Sequence, residues 1–67
     1  MAGLPVLTPG KLLQILKAHG FVEDHQTGSH LVLYNSRMKR RAVVPIHARD
    51  IPKGTLKAIL REAGITL

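Results

Sequence analysis

Phe21-Val22-Glu23-Asp24-His25-Gln26-Thr27-Gly28-Ser29-His30-Leu31-Val32-Leu33-Tyr34 is the stretch on which the fold turns. Residues 21–26 and 30–34 are two short extended runs, and Thr27-Gly28-Ser29 between them is a tight turn. So short a connection joins antiparallel neighbours only, because a parallel crossover takes a dozen residues or more. Asn35-Ser36 opens a second turn, and Arg40–Pro45, centred on Ala42-Val43-Val44, forms a third extended run. The expected product is a three-stranded antiparallel meander.

A helix stands on either side of it. Thr8 caps the first, with Pro9 at its first position. Leu12, Ile15, Leu16 and His19 then recur at helical spacing, until Gly20 supplies a left-handed end. The second helix carries an apolar stripe at Leu56, Ile59, Leu60 and Ala63, and Gly64 marks its end. A basic stripe of Lys53, Lys57 and Arg61 occupies another side of it. Asp50, ahead of Pro52, is the expected N-cap. The order is therefore α-β-β-β-α, an α+β fold in which two apolar helix stripes cover one face of the sheet. Strand alternation puts Leu31 and Leu33 on the covered face, and His30, Val32 and Tyr34 on the open one.

The composition narrows the function classes. The chain has 67 residues, enough for one small domain; 45% are hydrophobic and 3% aromatic. It is too short for a cofactor domain of its own and too apolar for a disordered basic tail. With no cysteine, neither disulfides nor thiolate zinc sites are available. The four histidines lack the spacing of a metal site, so neither metal nor cofactor is expected. No apolar run approaches the roughly 20 residues of a membrane span. Met1-Ala2-Gly3-Leu4-Pro5 also lacks the basic and long apolar regions of a secretory leader, so a cytoplasmic location is the expectation.

Charge is concentrated in the second half. Lys11 and Lys17 balance Glu23 and Asp24, whereas residues 34–67 set eight cations against two carboxylates, which accounts for the whole net charge of +6. Such an asymmetry suits a polyanionic partner, nucleic acid or an acidic protein. It also suits a merely soluble surface.

The residues carry a further pattern. Gly20-Phe21, Gly28-Ser29-His30, Pro45-Ile46-His47, Lys53-Gly54-Thr55-Leu56 and Ile59-Leu60-Arg61-Glu62-Ala63-Gly64 follow one another in order. The element order resembles the double-stranded-RNA-binding domain. The motifs, covering the chain from about Thr8 to Gly64, resemble the HicA (YcfA-like) toxins of bacterial toxin–antitoxin systems. The resemblance implies a single HicA-like domain over residues 1–67. It further implies a metal-independent endoribonuclease that cleaves mRNA and is silenced by a HicB-type antitoxin. The catalytic histidine of Gly-Ser-His falls on His30. Many members carry a basic residue just before that motif, where this chain has Thr27.

The chemistry so implied asks little of a small domain. The neighbouring 2′-hydroxyl of RNA is the nucleophile; the protein supplies a base, a positive group for the phosphorane and an acid. Imidazole is the natural base, because histidine ordinarily titrates near neutrality. Lys53, Lys57 and Arg61 are the expected phosphate contacts, by analogy with double-stranded-RNA-binding domains. Arg40 and Arg41, clustered with Arg37 and Lys39, serve RNA or an acidic antitoxin surface. His47 is an auxiliary candidate, as acid, as phosphate contact or as an organiser of its loop. Ser29 and Gly28 contribute turn geometry, with no base placed to make Ser29 a nucleophile. His19 is expected at the edge of the core, and His25 reaches His30 across the strands only if the register allows. Two aromatic residues are too few for sequence reading by stacking. A non-catalytic RNA-binding module and a protein-interaction domain for an acidic partner are the alternatives.

Overall fold

The computed structural model describes residues 5–67, so the reading of Met1–Leu4 as carrying no leader lies outside the described residues. The elements are α1 (Pro9–Ala18), β1 (Val22–Thr27), β2 (His30–Asn35), β3 (Arg40–Pro45) and α2 (Lys53–Ala63). The expected α+β order holds. The three strands form one antiparallel sheet in the order β1-β2-β3. Among the described residues, no helix is long and apolar enough to cross a membrane.

Thr8 caps α1 as its sequence predicts, its hydroxyl accepting from the Lys11 N–H at 3.3 Å, with Pro9 at the first helical position. Leu12 and Leu16 are fully buried, whereas His19 is exposed rather than at the core edge. The reason is local: α1 stops at Ala18, and the His19 Nδ1 turns back to the Ile15 carbonyl at 2.8 Å. That carbonyl also accepts from the His19 backbone N–H at 3.1 Å, so the ring adds a second bond to the last turn of the helix. The chain leaves at Gly20, whose φ of 92° favours glycine; a Cβ there would also stand 3.1 Å from the Asn35 side chain.

β1 runs one residue later than its composition suggests, with Phe21 buried just before it. Thr27 pairs with His30, leaving Gly28-Ser29 as a two-residue hairpin loop. Of these two, only Gly28 has positive φ (57°), the pattern of a type II′ turn. β2 extends to Asn35, which the sequence reading assigned to the following turn. Its amide is buried, donating to the His19 carbonyl at 2.8 Å and accepting from the Met38 N–H at 2.9 Å. One side chain thus ties the end of α1 to the β2–β3 turn.

The core lies between the sheet and the two helices. Leu31, Leu33, Ala42 and Val44 meet Leu12 and Leu16 of α1 and Leu56, Ile59, Leu60 and Ala63 of α2 in one buried cluster. Leu7, Phe21, Ile51 and Ile65, all outside the helices and strands, complete it. The Ile51 N–H donates to the Leu7 carbonyl at 2.8 Å, pinning the loop before α2 to the segment before α1. At the far end, the Ile65 N–H returns to the Leu60 carbonyl at 2.9 Å, a Schellman closure that turns Ile65 inward. Asp50 does not cap α2: Pro52 holds the N-cap position, without a side-chain hydrogen bond. Proline there fixes the backbone, and its side chain offers the first turn no acceptor.

Candidate functional site

The open face of the sheet is read directly from the register. Residues paired across antiparallel strands point to the same side. Thr27, His30 and Pro45 therefore form one row; His25, Val32 and Val43 form the next; Val22, Tyr34 and Arg41 form the third. The intervening row of Leu33 and Ala42 faces the helices. Glu23 also faces them, its carboxylate meeting the Lys17 ammonium of α1 at 2.6 Å. No element of the described chain covers the open face, and Val22 and Tyr34 stand exposed on it.

His30 is the first residue of β2, exposed beside the Gly28-Ser29 turn. The turn is held in place: the Ser29 carbonyl accepts from the Ile46 N–H at 2.9 Å, extending the β2–β3 pairing one step beyond His30 and Pro45. That bond sets Gly28-Ser29-His30 beside Pro45-Ile46-His47, so two of the motifs quoted from the sequence meet in space. His47 is exposed in the turn after β3, and its ring has no hydrogen bond within the described residues. Among the described residues, no side-chain hydrogen bond ties it to its loop.

The second half of the site follows from the direction of α2. Arg40, at the start of β3, donates from Nη1 to the carbonyl of Glu62, at the end of α2, at 3.4 Å. The helix thus runs back along β3, and its first turn lies at the end of the molecule that carries His30 and His47. Lys53 opens that turn, with no carboxylate in it and no side-chain cap. A helix start of this kind is electrostatically favourable to anions. Lys57 and Arg61 continue the stripe away from His30, about 6 and 12 Å further along the axis. All three are exposed, on the helix layer rather than on the open face.

The two arginines named together from sequence are separated by strand alternation. Arg41 lies on the open face opposite Tyr34. Arg40 faces the helix side, its guanidinium against Gly64 and Glu62 at the far end of α2. A shallow groove of about 470 Å³ runs between β3 and α2, lined by Val43, Gly54, Thr55, Ala58, Ile59 and Glu62. Its lining holds neither cation nor histidine.

One feature of the open face lay beyond sequence reasoning. β1 shifts register between Glu23 and His25, making Asp24 the extra residue of a bulge. The Asp24 Oδ2 lies 2.8 Å from the His25 Nδ1. A Glu-Asp-His run cannot reveal this, because a regular strand would send Asp24 and His25 to opposite faces.

Among the described residues, no group of three or more His, Cys, Asp or Glu residues is arranged to hold a metal ion. No curated protein matches the chain. The family model described as HicA toxin of bacterial toxin–antitoxin systems matches residues 10–65, from the first turn of α1 to the residue that closes α2. The chain belongs to the HicA toxin family of bacterial toxin–antitoxin systems.

Proposed function

We propose that this toxin is a metal-independent endoribonuclease that cleaves mRNA, with His30 as the general base. The observation that carries the reading is the position of His30. It is an exposed imidazole on an uncovered sheet face, beside a glycine turn and at the same end as the basic start of α2. A single-stranded RNA crossing that end brings a phosphate to His30, and its neighbours reach Lys53, Lys57 and Arg61. Arg41 extends the positive surface along the open face. His30 takes the 2′-hydroxyl proton, the 2′-oxygen attacks the adjacent phosphorus, and nearby cations stabilise the phosphorane. Gly28 and Ser29 serve by shaping the turn that presents His30.

An antitoxin partner follows from family membership. We assign it to the HicB type, with an acidic surface that covers the open face and the basic start of α2. Covering His30 would silence the enzyme by exclusion of RNA.

Replacing His30 with Ala should abolish RNA cleavage by the purified protein, and growth arrest on expression, while thermal melting stays unchanged. An H30A protein with full cleavage overturns the assignment. Cleavage should survive EDTA; loss restored by Mg²⁺ would place a metal in the mechanism. A protein that binds RNA but never cuts it would return the function to a non-catalytic RNA-binding module.

A further inference from the structure

An RNase of this kind needs an acid for the leaving 5′-oxygen, and the open face holds a second imidazole built for directed proton transfer. His25 pairs with Val32, and Thr27 with His30, so His25 and His30 are diagonal neighbours on one face of regular antiparallel pairing. Diagonal positions lie about 7–8 Å apart, which leaves room for one phosphate between two imidazoles. The bulge at Asp24 brings its carboxylate 2.8 Å from the His25 Nδ1. With Nδ1–H donating to that carboxylate, Nε2 is the nitrogen left to face a substrate, as in other carboxylate-oriented histidines. Neither side chain is engaged in packing: His25 is 57% and Asp24 60% exposed. An exposed pair of this sort adds little to stability, so the fold gives little reason for the contact.

We propose that His25 is the general acid of the cleavage reaction and Asp24 its positioning residue. The assignment rests on the ribonuclease reading above and names a residue that reading lacks. In the step, the 2′-hydroxyl proton passes to His30 as the 2′-oxygen bonds to phosphorus. The P–O5′ bond breaks with its electron pair going to O5′, which takes the Nε2 proton of His25. The products are a 2′,3′-cyclic phosphate and a 5′-hydroxyl. His25 ends neutral, its Nδ1–H still bonded to Asp24.

The test compares two synthetic RNAs that differ at one mapped cleavage position. One has the natural 5′-oxygen and the other a 5′-bridging sulfur, which departs as a thiolate without needing an acid. With the full chain, H25A should lose 100-fold or more in kcat on the oxygen RNA and less than 10-fold on the sulfur RNA, the range expected for a general acid. H30A should fail on both. D24N should lower kcat on the oxygen RNA alone, with KM unchanged, and Asp24→Glu should restore it. Thermal melts should show every variant folded. Equal losses on both RNAs for H25A, or none on either, overturn the assignment. So does a leaving-group-dependent loss in H47A instead. A wild-type protein that cuts neither RNA overturns the ribonuclease reading and this assignment with it. An H25A protein that cuts both at the wild-type rate overturns this assignment alone.

Discussion

Asn35 shows how much one buried polar residue can organise in a domain of this size. Its amide donates to the His19 carbonyl and accepts from the Met38 N–H, and only 3% of the residue is exposed. Removing it strands a carbonyl and an N–H, each costly to leave without a partner away from water. Asn35→Ala should lose about 2 kcal/mol in urea denaturation. The RNA chemistry should be little affected in the fraction that stays folded, since Asn35 is five residues along β2 from His30 and on the other face. The sequence offered Asn35 as a turn residue, and it does bond to the turn. Its bond to α1 depends on Gly20 bringing the end of that helix alongside, a contact sixteen residues away that no local pattern encodes.

At the scale of elements, α2 has two chemically distinct sides. Leu56, Ile59, Leu60 and Ala63 bury one side in the core, and Lys53, Lys57 and Arg61 remain exposed on another. Both stripes were legible, because helical periodicity places residues three and four apart on one face. The start of α2 was less so: the Asp50 cap failed because the chain bends at Arg49 and Asp50 and the helix begins only after Pro52, with Ile51 drawn into the core. If the stripe holds phosphates, the Lys53→Gln, Lys57→Gln, Arg61→Gln triple variant should weaken RNA binding. It should also lower the slope of log K against log salt by about 2, three contacts on a single strand contributing roughly 0.7 each. An unchanged slope in a folded triple variant would mark the stripe as solvated surface. The same logic separates Arg40 from Arg41: only Arg41→Gln should alter RNA affinity without disturbing the end of α2.

The whole molecule is one thin layer of sheet backed by two helices, and β1 contributes no buried residue to it. Stability therefore rests on few side chains. A chain of this length has about 3–10 kcal/mol of folding free energy at ordinary values per residue. Leu33 is fully buried at the centre of β2. Leu33→Ala should cost about 3 kcal/mol and bring the domain close to unfolding at 37 °C, as read by thermal melting. The exposed edge strand β1 is by contrast free to carry a bulge, and substitutions at Asp24 and His25 should leave thermal melting unchanged.

Element order, both apolar helix stripes and the exposed side of β2 follow from local rules, whereas His30 is singled out by its place in the Gly28-Ser29-His30 motif of the family pattern. Periodicities of two and of about three and a half, short turns and capping residues act over a few neighbours in the chain. Three arrangements needed the assembled structure: the meeting of Gly28-Ser29-His30 with Pro45-Ile46-His47, the tie from Asn35 to α1, and the pairing of Asp24 with His25. The first two join segments far apart in sequence through backbone geometry. The third arises because a single extra residue in β1 reverses the strand's alternation, and where such a bulge falls is settled by how β1 must pair with β2, not by the residues that form it.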